Sequence, residues 1–157
     1  MINPDEFLSA NYRLKEFLRS EVATRMGMVI NPSEEEVFNL RRLCTTVLQP
    51  LRNRTRTPVR ISSGLRPRWL NNVIGGSQNS AHIYGCAADI EVDGVAPYDL
   101  AILIKDMDLP LDQCILEFSP TGWVHVGIER VGAERRNQFL TARHSHGKTE
   151  YIEGLHP

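Results

Sequence analysis

Two short apolar segments near residue 120 constrain the fold most, because their patterns predict neighbouring β-strands. QCILEF occupies residues 113–118 and WVHVGI occupies residues 123–128. The intervening SPTG contains proline and glycine, which is typical of a hairpin turn. In the second strand the two valines would face one side, and Trp123 and His125 the other. The sequence therefore predicts an antiparallel hairpin that carries a histidine on one face.

Helical patterns fill the N-terminal part of the chain. Residues 13–20 place three apolar side chains on one helical face. Ser33 and Glu36 match the S-x-x-E pattern of a capping box, and apolar residues follow at helical spacing. We expect this longer helix to end at Pro50, because proline disrupts a helix interior.

After residue 58 the apolar pattern changes to that of short strands. The sequence predicts strands from Val59 to about Ser63 and from Ala87 to Val92, and a helix from Pro97 to about Asp106. The predicted class is α+β, with N-terminal helices packed on a small antiparallel sheet. We expect one domain over residues 1–142 and a polar C-terminal tail over residues 143–157, whose three histidines are solvated.

Composition and charge exclude several function classes. A net charge of −1 gives no overall attraction to nucleic acid or to an anionic membrane. The arginine-rich run over residues 52–60 lacks the interleaved aromatic residues of a nucleic-acid site. No apolar run approaches the roughly 20 residues of a membrane span. We therefore expect a monomer with no nucleic-acid partner and no membrane insertion.

The first residues lack the basic and apolar regions of a secretory signal. We expect synthesis in the cytoplasm without a signal peptide.

The stretch SAHIYGCAAD, residues 80–89, holds His82 and, seven residues later, Asp89. A lone histidine is more often structural than a ligand, but a carboxylate within a strand is costly to bury unless it is paired or bound to a cation. Together with His125, these residues form the two-imidazole, one-carboxylate set of a catalytic zinc site. Three small residues are expected to let the backbone and a ligand approach closely: Gly85, Ala87 and Ala88.

A longer pattern resembles the zinc D-Ala-D-Ala carboxypeptidase family, which includes phage-encoded peptidoglycan peptidases. Its parts are S-G-x-R at 63–66, S-x-H-x-x-G-x-A-A-D at 80–89 and W-V-H at 123–125. The likeness covers roughly residues 10–142 and is strongest to small single-domain members common in phages and prophages. It implies a fold of the D-Ala-D-Ala peptidase type, which is related to the hedgehog-type zinc fold.

The resemblance implies roles for individual residues. His82, Asp89 and His125 match the zinc ligands. Arg66 matches the arginine that faces the substrate carbonyl or carboxylate near the metal, a role that suits a permanently charged guanidinium. Zn²⁺ is therefore the expected cofactor.

Three further residues are expected to lie around this site. Ser80 is expected to orient the ligands at the edge of the substrate site, and Asn71 to brace the following loop. Trp123 would either contact the substrate or cover the sheet, and the sequence leaves both alternatives open.

The general base is the hardest residue to assign. Family relatives carry an acid at the position of Gly122 or a histidine at the position of Trp123, and both are missing here. Glu117 would share the face of His125 if the hairpin connection has an odd number of residues, whereas a four-residue turn would place it on the other face. The hedgehog-type fold carries a glutamate at an even offset before its last zinc histidine. The offset here is eight, which favours Glu117.

The resemblance implies a zinc-dependent peptidase that hydrolyses D-amino-acid-containing bonds in the stem peptides of bacterial peptidoglycan. Glu117 would activate a water and Arg66 would hold the oxyanion. We expect a phage or prophage lysin that reaches the cell wall after phage-mediated release. A non-catalytic zinc-binding module, a virion structural protein of the same fold and a metal-free domain are the alternatives. Carboxypeptidase and endopeptidase action both stay open.

Overall fold

The computed structural model describes residues 1–157 and has an α+β fold, as predicted. A six-stranded sheet has the strand order β1-β2-β4-β3-β5-β6. No helix combines the length and the apolar character needed to cross a lipid bilayer. The strands are β1 (Val59–Ser63), β2 (Ala87–Val92), β3 (Gln113–Glu117), β4 (Trp123–Gly127), β5 (Gln138–Ser145) and β6 (Lys148–Glu153). The helices are α1 (Glu21–Arg25), α2 (Glu34–Leu43), α3 (Gln49–Thr55), α4 (Arg68–Val73) and α5 (Pro97–Asp106).

Helix α2 begins at the predicted capping box. The Glu36 backbone N–H donates to the Ser33 hydroxyl at 3.2 Å, and the Ser33 N–H donates to the Glu36 carboxylate at 2.7 Å. The prediction that the helix ends at Pro50 is wrong. A π-helical turn, Cys44–Leu48, connects α2 to α3. Pro50 then falls in the first turn of α3, where its missing N–H costs least.

The helix predicted over residues 13–20 is only a single 3₁₀ turn, Leu14–Phe17. The N-terminal loop accepts hydrogen bonds from the free N–H groups at the start of this turn. The Leu14 N–H donates to the Glu6 carbonyl and the Lys15 N–H to the Pro4 carbonyl.

The two faces of the sheet have different roles. On β2, Ala88, Ile90 and Val92 belong to the hydrophobic core, together with apolar residues of α2, α3 and α5. Asp89 alternates with them and therefore faces the opposite side. Asp89 is the register partner of His125 on β4. The apolar face thus holds the helices, and the other face holds the predicted ligands.

The C-terminal region differs from its prediction. Residues 143–157 are not a separate tail, because the boundary at residue 142 falls within β5. β5 pairs with β3, which is the one parallel pair in the sheet, and β6 pairs with β5. His146 and Gly147, both at positive φ, form the two-residue hairpin turn. His144, His146 and His156 are exposed, as expected, and the His144 ring also stacks on the Phe118 ring at a centroid distance of 4.3 Å.

An ion pair anchors the start of β5. The Arg136 guanidinium donates to both Asp112 oxygens, with its shortest contact at 2.7 Å, and the Arg136 backbone N–H also donates to Asp112 at 2.8 Å. Burial raises the pKa of Asp112, but these hydrogen bonds outweigh it and lower the pKa below its usual value. The Gln138 N–H donates to the Asp112 carbonyl, which begins the pairing of β5 with β3.

We expect Arg136→Ala to lower the free energy of unfolding by about 2 kcal/mol, because it leaves the largely buried Asp112 carboxylate without its charged partner. Arg143→Ala is the matched control. Its 3.5 Å pair with Glu150 is exposed on both sides, so we expect a loss of no more than about 0.5 kcal/mol. Urea denaturation measures both variants, and equal losses would contradict the anchoring role of Arg136.

Candidate active site

Three side chains from different parts of the fold meet on the face of the sheet opposite the hydrophobic core. His82 lies on a 3₁₀ turn, Ala81–Tyr84, whereas Asp89 and His125 are directly paired on β2 and β4. His82 Nε2 lies 3.2 Å from Asp89 Oδ1 and 3.2 Å from His125 Nδ1. His125 Nδ1 lies 3.1 Å from Asp89 Oδ1. One atom from each residue therefore forms a nearly equilateral triangle.

The tautomer of the His82 imidazole follows from the contact that its Nδ1 makes. His82 Nδ1 lies 2.7 Å from the Gly64 carbonyl oxygen. A carbonyl can only accept, so Nδ1 carries a proton, and in the neutral imidazole Nε2 then has the lone pair that a metal ion requires. Gly64 is itself fixed by close backbone contact, because a Cβ there would lie 2.5 Å from Phe17 Cα. No sequence pattern indicates this carbonyl partner.

Asp89 is kept ionised in a buried place. Asp89 is 7% exposed to solvent. Burial alone raises the pKa of Asp89, but the charge of His82 and the hydrogen bonds of both imidazoles lower it well below its usual range. A carboxylate in such a position would be costly without positive or donor partners. The cluster therefore combines one negative oxygen with two imidazole nitrogens.

The donor set and its spacing fit a metal ion. His82, Asp89 and His125 are the one group of histidine, cysteine and acidic residues in the protein that is placed to hold a metal. Two ligands about 2.0 Å from a tetrahedral ion lie about 3.3 Å apart. The three separations of 3.1–3.2 Å match this value. Two imidazoles and one carboxylate leave a fourth position, which is the arrangement of catalytic zinc sites.

Glu117 lies beside this cluster. The connection between β3 and β4 has five residues, so Glu117 pairs with Trp123 and shares the face of His125. Its Oε1 lies 4.0 Å from His125 Nδ1. Burial and the charge of Asp89 raise the pKa of Glu117 to about 7, against the opposing charges of His125 and Arg66. A carboxyl group with this pKa can accept and release a proton near neutral pH.

The tight connection also explains the missing acid at Gly122. A Cβ at Gly122 would collide with the carbonyl oxygen of Glu117. No side chain fits at this position unless the hairpin rearranges. The carboxylate therefore comes from the preceding strand.

Arg66 is tied to the ligand-bearing turn by its backbone. Its N–H donates to the His82 carbonyl at 3.0 Å. Its Nε is buried and has no hydrogen-bond partner in the protein. The charge of Arg66 acts to lower the pKa of Glu117. This arrangement leaves a cation near the cluster with an unused donor.

The remaining predicted residues make contacts in the ligand-bearing turn, in the loop before it and in the β3–β4 hairpin. The Ser80 hydroxyl accepts a hydrogen bond from the His82 backbone N–H at 3.3 Å, so it caps the turn that carries the ligand. Asn71 is fully buried and donates to the Ser77 carbonyl, which braces the loop. Trp123 packs edge-on against Phe118 at 5.5 Å, and its Nε1 is buried without a partner.

The small residues near Asp89 are required for different structural reasons. Ala87 alternates with Ala88 and lies on the face of Asp89, as expected for a residue that leaves room. Ala88 packs into the core instead. Gly85 has a φ of 72° at the end of the 3₁₀ turn, and a Cβ there would lie 2.7 Å from the Glu36 carbonyl. The interpretation that all three make room for a ligand is therefore too broad.

A sequence profile of the peptidase M15 family matches residues 10–127, which is most of the chain and includes the whole cluster. The chain belongs to the peptidase M15 family. This membership confirms the resemblance to zinc D-Ala-D-Ala carboxypeptidases, and it supports an M15 metallopeptidase that acts on peptides of the bacterial cell wall. Among curated proteins, none matches the chain.

The M15 match ends at residue 127, before β5 and β6 begin. Sequence reasoning missed this addition to the site-bearing face, which includes Tyr151 beside Ala142. The His146-Gly147 dipeptide between two partly alternating segments was the available signal in the sequence. Both residues adopt positive φ in the structure.

We expect Gly64→Ala to destabilise the protein by about 3 kcal/mol, because the new methyl group meets Phe17 backbone rather than a movable side chain. Zinc affinity should fall about tenfold, because the partner of His82 Nδ1 moves. Gly94→Ala is the control: it has a φ of 77° and open space, so we expect a loss of about 1 kcal/mol and unchanged affinity. Thermal unfolding and zinc titration measure both, and wild-type behaviour of Gly64→Ala would refute this packing argument.

Proposed function

We propose that the chain is a zinc-dependent peptidase that hydrolyses D-amino-acid-containing bonds in peptidoglycan stem peptides. One observation carries the proposal. Three ligand atoms lie 3.1–3.2 Å apart, and a separate carboxylate, Glu117, lies 4.0 Å from one of them on the same face. A purely structural ion pair would not need a second carboxyl group beside it whose pKa is raised to about 7.

The ligands would be His82 through Nε2, Asp89 through Oδ1 and His125 through Nδ1. A bound zinc ion supplies Lewis-acid chemistry, because it lowers the pKa of a water and polarises a carbonyl group. The Gly64 carbonyl holds His82 in the tautomer that leaves Nε2 free. The register between β2 and β4 fixes the other two ligands.

Two side chains of the protein would transfer the proton and stabilise the negative charge. Glu117 is placed to take a proton from the attacking water and to return it to the leaving amine. Arg66, whose Nε has no partner within the protein, is placed to bind the oxygen that becomes negative in the tetrahedral intermediate. We propose that the ring of Trp123, whose Nε1 also has no partner within the protein, contacts the substrate.

The biological setting is proposed from the resemblance to small phage and prophage members of the family. In that setting the chain acts as a lysin on the bacterial cell wall and is released by phage-encoded proteins. Membership of the M15 family supports the general substrate, a peptide of peptidoglycan.

Digestion of purified peptidoglycan by the zinc-loaded protein, followed by mass spectrometry of the muropeptides, tests the proposal. We expect soluble peptide fragments, no activity after chelation, and recovery on addition of zinc. Glu117→Gln should lower the rate at least about 100-fold, because a positioned general base contributes on this scale. Glu91→Gln is the matched control. It makes the same change two residues from Asp89, at a half-exposed glutamate paired with Arg60, and should keep wild-type activity.

The products also identify the reaction. Release of a single terminal D-Ala indicates a carboxypeptidase, whereas an internal cut indicates an endopeptidase. Zinc binding without hydrolysis would contradict the proposal in favour of a non-catalytic module. Full activity of Glu117→Gln would refute the role of Glu117 alone.

A further inference from the structure

The face of the sheet opposite the hydrophobic core continues beyond Glu117 into the two C-terminal strands. Glu117 on β3 pairs with Ala142 on β5, and Ala142 pairs with Tyr151 on β6. Register partners point to the same face of a sheet. Tyr151 is therefore in line with Glu117, two strands further from the cluster.

Only a methyl group stands between Glu117 and Tyr151. Ala142 is fully buried, whereas Tyr151 is 57% exposed. The phenol can therefore lie over Ala142 towards the site without meeting a larger side chain. Tyr151 is thus a large, exposed aromatic residue at the end of a line of site residues.

The pKa of Tyr151 agrees with the register that aligns it with Glu117. Burial raises the pKa of Tyr151, and the charges of Glu117 and Asp89 raise it further, with no hydrogen bond contributing. Four strand spacings separate β6 from β2, or about 19 Å between the backbones. Charges more than about 10 Å apart are largely screened. An orientation of the phenol over β5 and β3 would shorten this separation.

Aromatic contacts hold the C-terminal hairpin against the rim of the site. Phe118, which directly follows Glu117, has a φ of 56°, an uncommon backbone conformation for a bulky residue. Its ring stacks on His144 of β5 at 4.3 Å and meets Trp123 edge-on at 5.5 Å. The Phe118 N–H also donates to the Ala142 carbonyl at 2.9 Å. The hairpin is thus connected to the strands that carry Glu117 and His125.

We propose that the β5–β6 hairpin forms one wall of the substrate cleft and that the Tyr151 hydroxyl donates a hydrogen bond to the bound peptide. The inference rests on the proposed peptidase function. It assigns a substrate-contacting residue to a part of the chain that lies outside the residues matched by the family. The ligand group is a carbonyl or carboxylate oxygen of the peptide, because the phenol O–H donates a hydrogen bond and needs an acceptor.

The test uses the full zinc-loaded chain and a synthetic pentapeptide with an L-Ala–D-Glu bond and a C-terminal D-Ala–D-Ala. Tyr151→Phe removes one hydroxyl and nothing else. We expect kcat/KM to fall about tenfold, the effect of losing one hydrogen bond, with unchanged zinc affinity and thermal stability. Tyr98→Phe makes the same change on α5, which packs against the other face of the sheet, and should leave kcat/KM unchanged.

Binding is measured separately from turnover. Calorimetric titration of the pentapeptide into Glu117→Gln, with and without Tyr151→Phe, should show about tenfold weaker binding in the double variant. If both proteins bind equally and Tyr151→Phe keeps wild-type kcat/KM, the inference is overturned while the peptidase function stands. If the wild-type protein neither cuts nor binds the pentapeptide, the proposed function and the inference both fail.

Discussion

The register between β2 and β4 is the constraint on which the rest of the structure depends. It pairs Asp89 with His125 and at the same time directs Ala88, Ile90 and Val92 into the core. A shift of one residue would exchange the two faces, placing a carboxylate in the apolar core and aliphatic side chains at the site. Because the hydrophobic effect fixes which face is buried, the same interaction that stabilises the domain also sets the position of two metal-ligating atoms.

The site is built from groups whose cost is offset locally. Asp89 would be expensive to bury alone, but two imidazole nitrogens lie 3.1–3.2 Å away. His82 is oriented by the Gly64 carbonyl, which is held against the Phe17 backbone. Arg66 and Trp123 retain buried donors without partners. Buried donors without partners are rare in native proteins, so each of these two calls for a partner outside the chain, such as a water or a ligand.

The sequence predicted those parts of the fold in which local pattern and tertiary contacts agree. The capping box at Ser33, strands β1 to β4 and the α+β class follow from periodicity, and the family motif draws His82, Asp89 and His125 together. The helix end predicted at Pro50 was wrong because a π-helical turn lets the helical path continue into α3. β5 was missed because its pairing depends on a distant ion pair, Arg136 with Asp112. The face of Glu117 depended on one extra residue in a hairpin connection, which propensities do not specify.

X-ray absorption at the zinc edge of the zinc-loaded protein tests the central claim most directly, because it reports the ligands themselves. One zinc per chain is expected, with nitrogen and oxygen scatterers at about 2.0 Å and the outer-shell signature of two imidazole rings. Sulfur at about 2.3 Å would assign the metal to one of the buried cysteines. That result, or a shell without imidazole, would contradict a site made by His82, Asp89 and His125.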